Sequence, residues 1–316
     1  MLQQFEVIVV GKGNAALCAA LSAAEQGARV AMLEAAPVEE SGGNSRFAGG
    51  VMRFAYDSVD DLRKFVEISG EEAKSTDWDS NTKEQFYDDL YRVTSYRTDP
   101  ALSEVLVTKS LEAMVWLRGQ GVRFVPNYRH QSAIVAGKRK FFGRMPIEVS
   151  GGGAGLVQYL DAAAKKAGIE VFYETRATAL LYDGERVLGV RARSHGKPAE
   201  FHARAVVLAC GGFEANPEWR TRYLGQDWEL ARVRGTRHHT GAGIRMALEI
   251  GAQPYGHWSG CHAVAWDLNA PPFGDRRVGD LFQKHSYPLG IVVNLKGERF
   301  VDEGADFRNY TYARYG

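Results

Sequence analysis

Three observations predict an α/β chain built on a parallel sheet. Residues 5–10 (FEVIVV) form a short β-branched apolar run of the kind buried on both faces of such a sheet. Gly11, Gly13 and Ala16 follow at once and open an Ala/Leu-rich helix that ends near Gly27. Residues 29–34 (RVAMLE) return as a second strand and close on an acid. The pattern is a βαβ opening.

The remaining elements follow in order. Residues 37–55 contain SGGNSRFAGG and are expected to form a loop of small residues. Helical signals return at 58–69, at 83–96 and at 100–120, the last with Pro100 at its start and Gly121 after it. From Ser150 the run SGGGAGLVQYLDAAAKKAG is a glycine cluster followed by an amphipathic helix that stops at Gly168. Residues 169–173 then read as a strand of the main sheet. Residues 177–182, 187–193 and 200–209 read as a β-meander with turn signals at Asp183-Gly184 and His195-Gly196. The last strand ends in Gly211-Gly212, and RHHTGAG (237–243) opens a helix to about Glu249. The basic cluster 138–140 with Arg144 is expected to be a solvated face.

Composition narrows the function classes. At 316 residues the chain has length for roughly two domains and a sizeable core. Lys plus Arg (39) balance Asp plus Glu (38), so no global field draws it to nucleic acid or an anionic membrane, and anions must be held by local sites. Three scattered cysteines, Cys18, Cys210 and Cys261, make neither a disulfide framework nor a metal motif, and no metal is expected. No apolar run reaches the about 20 residues of a membrane span, and no signal peptide is visible, so a cytoplasmic setting is expected. Glycine, at 35, is the one surplus, and implies many places of close backbone approach.

Gly11-Lys12-Gly13-Asn14-Ala15-Ala16 is a G-x-G-x-x-A pattern between the predicted strand and helix. The first glycine allows a tight turn, the second lets backbone N–H groups approach a pyrophosphate, and Ala16 lets helix pack on strand. Glu34 lies at the end of the next strand, about 20 residues on, where a carboxylate accepts ribose hydroxyls. A dinucleotide site follows, with Lys12 expected to face solvent. The turn alone fits both FAD and NAD.

Three further segments occur in order: Gly42-Gly43-Asn44-Ser45 with Ala48-Gly49-Gly50, Ala209-Cys210-Gly211-Gly212-Phe213, and His239-Thr240-Gly241-Ala242-Gly243-Ile244. With them the chain resembles the fumarate reductase and succinate dehydrogenase flavoprotein family. The resemblance implies FAD as cofactor. It places the first segment along the isoalloxazine ring, the second near the pyrophosphate and the third at the start of a helix beneath the flavin. Some members tether the flavin through a histidine in the first segment; Asn44 and Ser45 stand there, so non-covalent FAD is expected. The implied fold is a Rossmann-like three-layer FAD-binding domain over residues 1–250, with parallel sheet and β-meander. Residues 251–316 would start an α+β capping domain that family members continue past Gly316.

Two more stretches resemble active-site segments of the family: Trp258-Ser259-Gly260-Cys261-His262, and residues 297–303 (GERFVDE) followed by Arg308. By that resemblance His262 holds a substrate carboxylate, Arg308 accepts the proton in the oxidative direction, and Glu303 orients Arg308 or relays its proton. An arginine base needs a buried setting and an acidic relay, because its ordinary pKa exceeds 12. His238, His239 and His257 compete for the carboxylate role, and Cys261 reads as a packed thiol rather than a nucleophile. Within the family GNAALCAAL, LEAAP, GGNSRF, WSGCHAV and FVDEGADFRNYTYA are most similar to the tricarballylate dehydrogenases. The implied reaction is FAD-dependent oxidation of tricarballylate to cis-aconitate, with electrons passed to a separate iron–sulfur partner at the inner membrane. A fumarate or succinate enzyme, a 3-oxosteroid dehydrogenase, and an FAD-binding fragment or subunit without turnover remain alternatives.

Overall fold

In the computed structural model the described residues are 3–128, 132–141, 143–284 and 287–304. The βαβ opening forms as β1 (Gln3–Val10), α1 (Asn14–Glu25) and β2 (Val30–Leu33). A loop and two short helices follow, α2 (Val59–Leu62) and α3 (Gly70–Ser75), then β3 (Thr76–Asp77), α4 (Lys83–Val93) and α5 (Pro100–Gly119). Next come β4 (Phe124–Pro126), β5 (Ser132–Val135), β6 (Lys138–Phe141) and β7 (Ile147–Val149), and then α6 (Gly152–Lys166). The sheet resumes with β8 (Glu170–Phe172), β9 (Thr175–Tyr182), β10 (Val187–Ser194) and β11 (Lys197–Leu208), before α7 (Pro217–Leu224) and α8 (Ala242–Glu249).

The main sheet has six strands in the order β8, β2, β1, β11, β10, β9. β8, β2, β1 and β11 run parallel, and β11, β10 and β9 form the antiparallel meander. β11 therefore serves both arrangements. Side chains alternate across the sheet with the two-residue period of a strand. Val9, Val30 and Met32 enter a core with Leu17 and Ala20 of α1 and Leu156 and Leu160 of α6. Ile8, Val10, Ala31 and Leu33 enter the opposite core with Ala177, Val190 and Met246 of α8. Each such fully buried Val, Leu or Ile contributes roughly 1.5–3 kcal/mol of transfer free energy, which helps hold β1 and β2 in place.

Of the helix expected over 58–69 only α2 forms, and α3 begins past its expected end. Ser69 caps α3 through a reciprocal box, its hydroxyl accepting from the Glu72 amide and the Glu72 carboxylate accepting from the Ser69 amide, so the chain restarts a helix there. The basic cluster is not merely solvated. Lys140 pairs with Asp77 (3.0 Å), Arg144 with Asp89 (2.9 Å), and Arg139 lies over the Tyr128 ring. Beyond Gly251 the described residues carry one short 3-10 turn, Tyr287–Leu289, and isolated bridges such as Trp266 to Gln283. This segment docks on residues 232–236, where Val233 N donates to Pro272 O (2.9 Å) and Gly274 N to Gly235 O (2.8 Å).

Candidate functional site

The parallel strands β1, β2 and β11 end at one edge, and the loops that follow them make a cleft. Gly11 turns the chain out of β1 at φ +113°, and a Cβ there would lie 2.4 Å from Ala209 O at the end of β11. Only glycine fits, because φ is in the left-handed region and the space belongs to backbone. Gly13 caps α1 without a side chain, and the Asn14 amide is taken by Ser45 Oγ at 2.9 Å. Ala15 is exposed on the first turn of α1, while Ala16 is fully buried beneath it. The loop carrying Ser45 is thus tied to the helix whose N-terminus faces the cleft.

Glu34 is buried at the end of β2 and lines the cleft; its Oε1 accepts the Ala36 amide at 2.8 Å. Burial pushes its carboxyl above the usual range, against the opposing pull of that amide and of His238, Lys12 and His239. The carboxylate is therefore short of donors, and ribose hydroxyls would supply them. Lys12 departs from expectation. It is 3% exposed, pairs with Asp161 of α6 and lies 5.5 Å from the centre of the Tyr173 ring. The turn out of β1 aims the residue between the two glycines at α6 rather than at solvent.

The later glycine segments close on the same cleft. Gly43, at positive φ, faces His239 and Gly13; Gly211 lies directly against the His239 ring, whose Nδ1 is 3.5 Å from Glu214. Gly241 N donates to Gly212 O (2.9 Å), Thr240 O accepts from Asn216, and Gly243 leaves room for Cys210 Sγ. His238 bridges Glu40 (3.2 Å) and Arg176 (3.3 Å). Asn44 Oδ1 accepts the Thr236 amide at 2.9 Å. Gly42 admits Val157 and Arg46, and Gly50 packs on Gly152, where a Cβ would lie 2.6 Å from the opposing Cα. Part of the glycine surplus thus serves contact between the 44–50 loop and α6.

These residues fit a bound FAD. Gly11, Gly13, Gly43 and Ala209 line one cleft with a donor-poor buried acid, the arrangement a dinucleotide requires.

On the side of residues 251–304, Gly49 lies near Asp280, 3.9 Å from its Cβ position to the carboxylate. Asp280 forms an ion pair with Arg234 Nε at 2.6 Å, and Arg234 NH1 is 3.1 Å from His262 Nε2. Burial, then the Arg234 charge, holds the His262 pKa below its ordinary value. His257 is engaged by Arg97 (2.8 Å) and Ser259, and burial pushes the Cys261 thiol up, away from thiolate character. Glu303 is buried, with Oε1 accepting the Val292 amide and Oε2 accepting from Arg299, which together hold its carboxyl down at about 2. Among the described residues no hydrogen bond or ion pair joins Glu303 to His262. Arg308 lies outside the described residues. Sequence reasoning missed Arg234 and Asp280, which stand 28 and 18 positions from His262 without a motif. Among the described residues no group of His, Cys, Asp and Glu could hold a metal ion, and no helix is long and apolar enough to cross a membrane.

Comparison with known proteins places the chain in a family. The chain is 29% identical over 315 residues to a vinyl phenol reductase of Lactiplantibacillus plantarum, covering 98% of this chain and 58% of that protein. It is 29% identical over 303 residues to a cytochrome fumarate reductase of Shewanella frigidimarina, covering 94% and 46%. The chain spans about half the length of these relatives. In fold it matches the open conformation of a flavocytochrome c3 fumarate reductase with a TM-score of 0.71 at 24% identity, over 98% of this chain and 50% of that one. The family model described as FAD binding domain matches residues 6–314, and the chain belongs to that family.

Proposed function

We propose that this chain forms the FAD site and part of the substrate wall of an oxidoreductase acting on the CH–CH bond of a small di- or tricarboxylate, with tricarballylate the substrate and cis-aconitate the product. One observation carries the reading: the glycine-lined cleft holds the buried Glu34, and the glycine loop that borders it brings Gly49 near Asp280, which with Arg234 stands beside His262. FAD supplies the two-electron acceptor that oxidation of a carbon–carbon single bond needs.

The chain's own residues bind and orient. Gly11 and Gly13 open the turn to a pyrophosphate, the N-terminus of α1 adds its positive dipole, and Glu34 takes ribose hydroxyls. Asn44 Oδ1 and Ser45 Oγ accept the Thr236 and Asn14 amides, and no histidine stands in this segment, which supports non-covalent FAD. His262 receives a substrate carboxylate, and Arg308 takes the proton from the carbon next to the oxidised one. Glu303, held by Arg299 and the Val292 amide, orients Arg308 or relays its proton. Residues 251–316 begin the substrate-capping domain beside the FAD-binding domain of residues 1–250. Electrons pass to a separate electron-transfer protein, which brings the cytoplasmic chain to the inner membrane.

The test uses the full natural chain loaded with FAD, mixed anaerobically with tricarballylate, succinate and a 3-oxosteroid. Bleaching of the visible flavin absorbance by tricarballylate is the expected result. Bleaching by the steroid alone overturns the carboxylate assignment. Acid precipitation is expected to leave all yellow colour in the supernatant, and a yellow pellet overturns the non-covalent assignment.

A further inference from the structure

The Arg234, His262 and Asp280 cluster is built from two separate stretches of chain, and its hydrogen bonds define its chemistry. A guanidinium only donates. His262 Nε2, 3.1 Å from Arg234 NH1, must therefore accept, which leaves the ring proton on Nδ1 and the imidazole neutral. The group placed to attract a carboxylate by charge is then the arginine.

Arg234 is prepared for that task. Its Nε is held by Asp280 at 2.6 Å, with the two side chains 29% and 25% exposed, so the pair is partly dry yet open on one side. Its backbone is pinned from both directions, because Val233 N donates to Pro272 O, Gly274 N to Gly235 O, and Thr236 N to Asn44 Oδ1. Asp280 lies against Nε as an ion pair, and His262 takes one NH1 hydrogen. Among the described residues the NH2 group has no hydrogen bond, so the outer edge of the fork remains for an incoming anion. That edge matches a carboxylate, whose two oxygens accept a planar pair of N–H donors.

We propose that Arg234 is the charged anchor for a substrate carboxylate and fixes His262 as a neutral Nδ1–H donor to the same substrate. The inference rests on the carboxylate reading above and deepens it: His262 orients, Arg234 attracts. Arg234 and Asp280 are the charged groups that act on His262 among the described residues, and burial works in the same direction as Arg234. Geometry and burial both keep the His262 ring neutral near pH 7.5, so carboxylate binding by the native protein is expected not to change as pH rises from there.

The experiment measures carboxylate binding to the full FAD-loaded chain from the perturbation of the flavin spectrum, with tricarballylate and succinate as probes and the uncharged diamide of succinate as control. At pH 7.5, R234M is expected to weaken binding of both acids by about tenfold or more, as loss of a charged hydrogen bond requires. R234K keeps the charge without the fork and falls between. In R234M the arginine charge no longer opposes protonation of His262 while burial still does, so part of the lost affinity is expected to return as pH falls. The histidine ring 15N shifts of the native protein at pH 7.5 read the tautomer directly, whether or not R234M folds. Nδ1–H is expected; an Nε2–H tautomer or an imidazolium overturns the proposal. So does binding by folded R234M within twofold of native with no new pH dependence. Failure of the native protein to bind either acid overturns the carboxylate reading itself and this inference with it, whereas native binding with unaltered variants overturns only the role of Arg234.

Discussion

The two ends of the site are built by different means. At the nucleotide end the working groups are backbone, set by strands that are almost fully buried, with Ile8, Val9, Met32 and Leu33 at 0 to 1% exposure. At the proposed redox end they are long side chains, most of them on a segment whose apolar residues are largely exposed, Leu268 at 81% and Leu281 at 80%. A buried sheet holds amides at fixed positions whatever the solvent does. A polar, loosely covered segment holds its groups only through pairs such as Arg234 with Asp280 and Arg299 with Glu303. Substitutions at the first end should therefore act through stability and FAD retention, and those at the second through local order and ligand affinity.

The largest effect is expected at Gly11. Gly11→Ala places a methyl against Ala209 O at a φ that alanine adopts with strain, costing about 3 kcal/mol or more. The purified protein should be colourless and melt well below the native one. A yellow protein with native melting would break the comparison at its strongest point.

Next in size is Glu34→Gln. Loss of the ribose acceptor should weaken FAD binding about tenfold, measured by fluorescence quenching on titration. Stability should move the other way. Burial raises the Glu34 pKa on folding, so its contribution is full below the ordinary carboxyl value and is lost as pH rises through the folded value. At pH 7.5 the FAD-free Glu34→Gln protein should therefore melt higher than native, and the difference should disappear in acid. An unchanged or lower melting temperature would show that the acid is not held at a cost.

The Lys12 and Asp161 pair sharpens the boundary between the ends, because one partner is buried and the other is 46% exposed. Asp161→Ala strands a buried ammonium and should cost about 1–2 kcal/mol, at the low end because the lost carboxylate is partly solvated. Lys12→Met, which removes the buried charge with it, should be close to neutral. Denaturant titration of both variants distinguishes this from a pair that stabilises outright.

The smallest effect is expected at Glu303. Its carboxyl, held down at about 2 by Arg299 and the Val292 amide, contributes order that is full above the ordinary carboxyl range and lost as pH falls toward that value. Glu303→Gln should speed amide exchange over residues 290–304 while leaving the global melting temperature unchanged. A global shift would mean that the second region is as integral as the first.

Much of the fold was legible because it rests on local pattern. The FEVIVV run, the small-residue turn, the amphipathic stretch after Gly151 and the turn signals of the meander each report on neighbours a few residues away. The helix expected over 58–69 was misjudged because a capping box at Ser69 competes with helical propensity on either side. The dinucleotide turn and Glu34 were legible for the same local reason. Lys12 was not, since its partner Asp161 comes from a helix that only the sheet's packing brings near.

By itself, then, the sequence determined the α/β class, the strand that ends in a glycine turn, the acid at the end of the next strand, and the order of the glycine segments, all properties carried by spacing along the chain. Tertiary structure alone decided that β11 joins the parallel strands to the meander, that Gly50 and Gly153 serve contact between the 44–50 loop and α6, and that Arg234 meets His262 and Asp280. The physical reason is range: a strand or cap is stabilised by hydrogen bonds and burial set within a few residues, whereas an ion pair between distant loops exists only after the cores beneath them have packed.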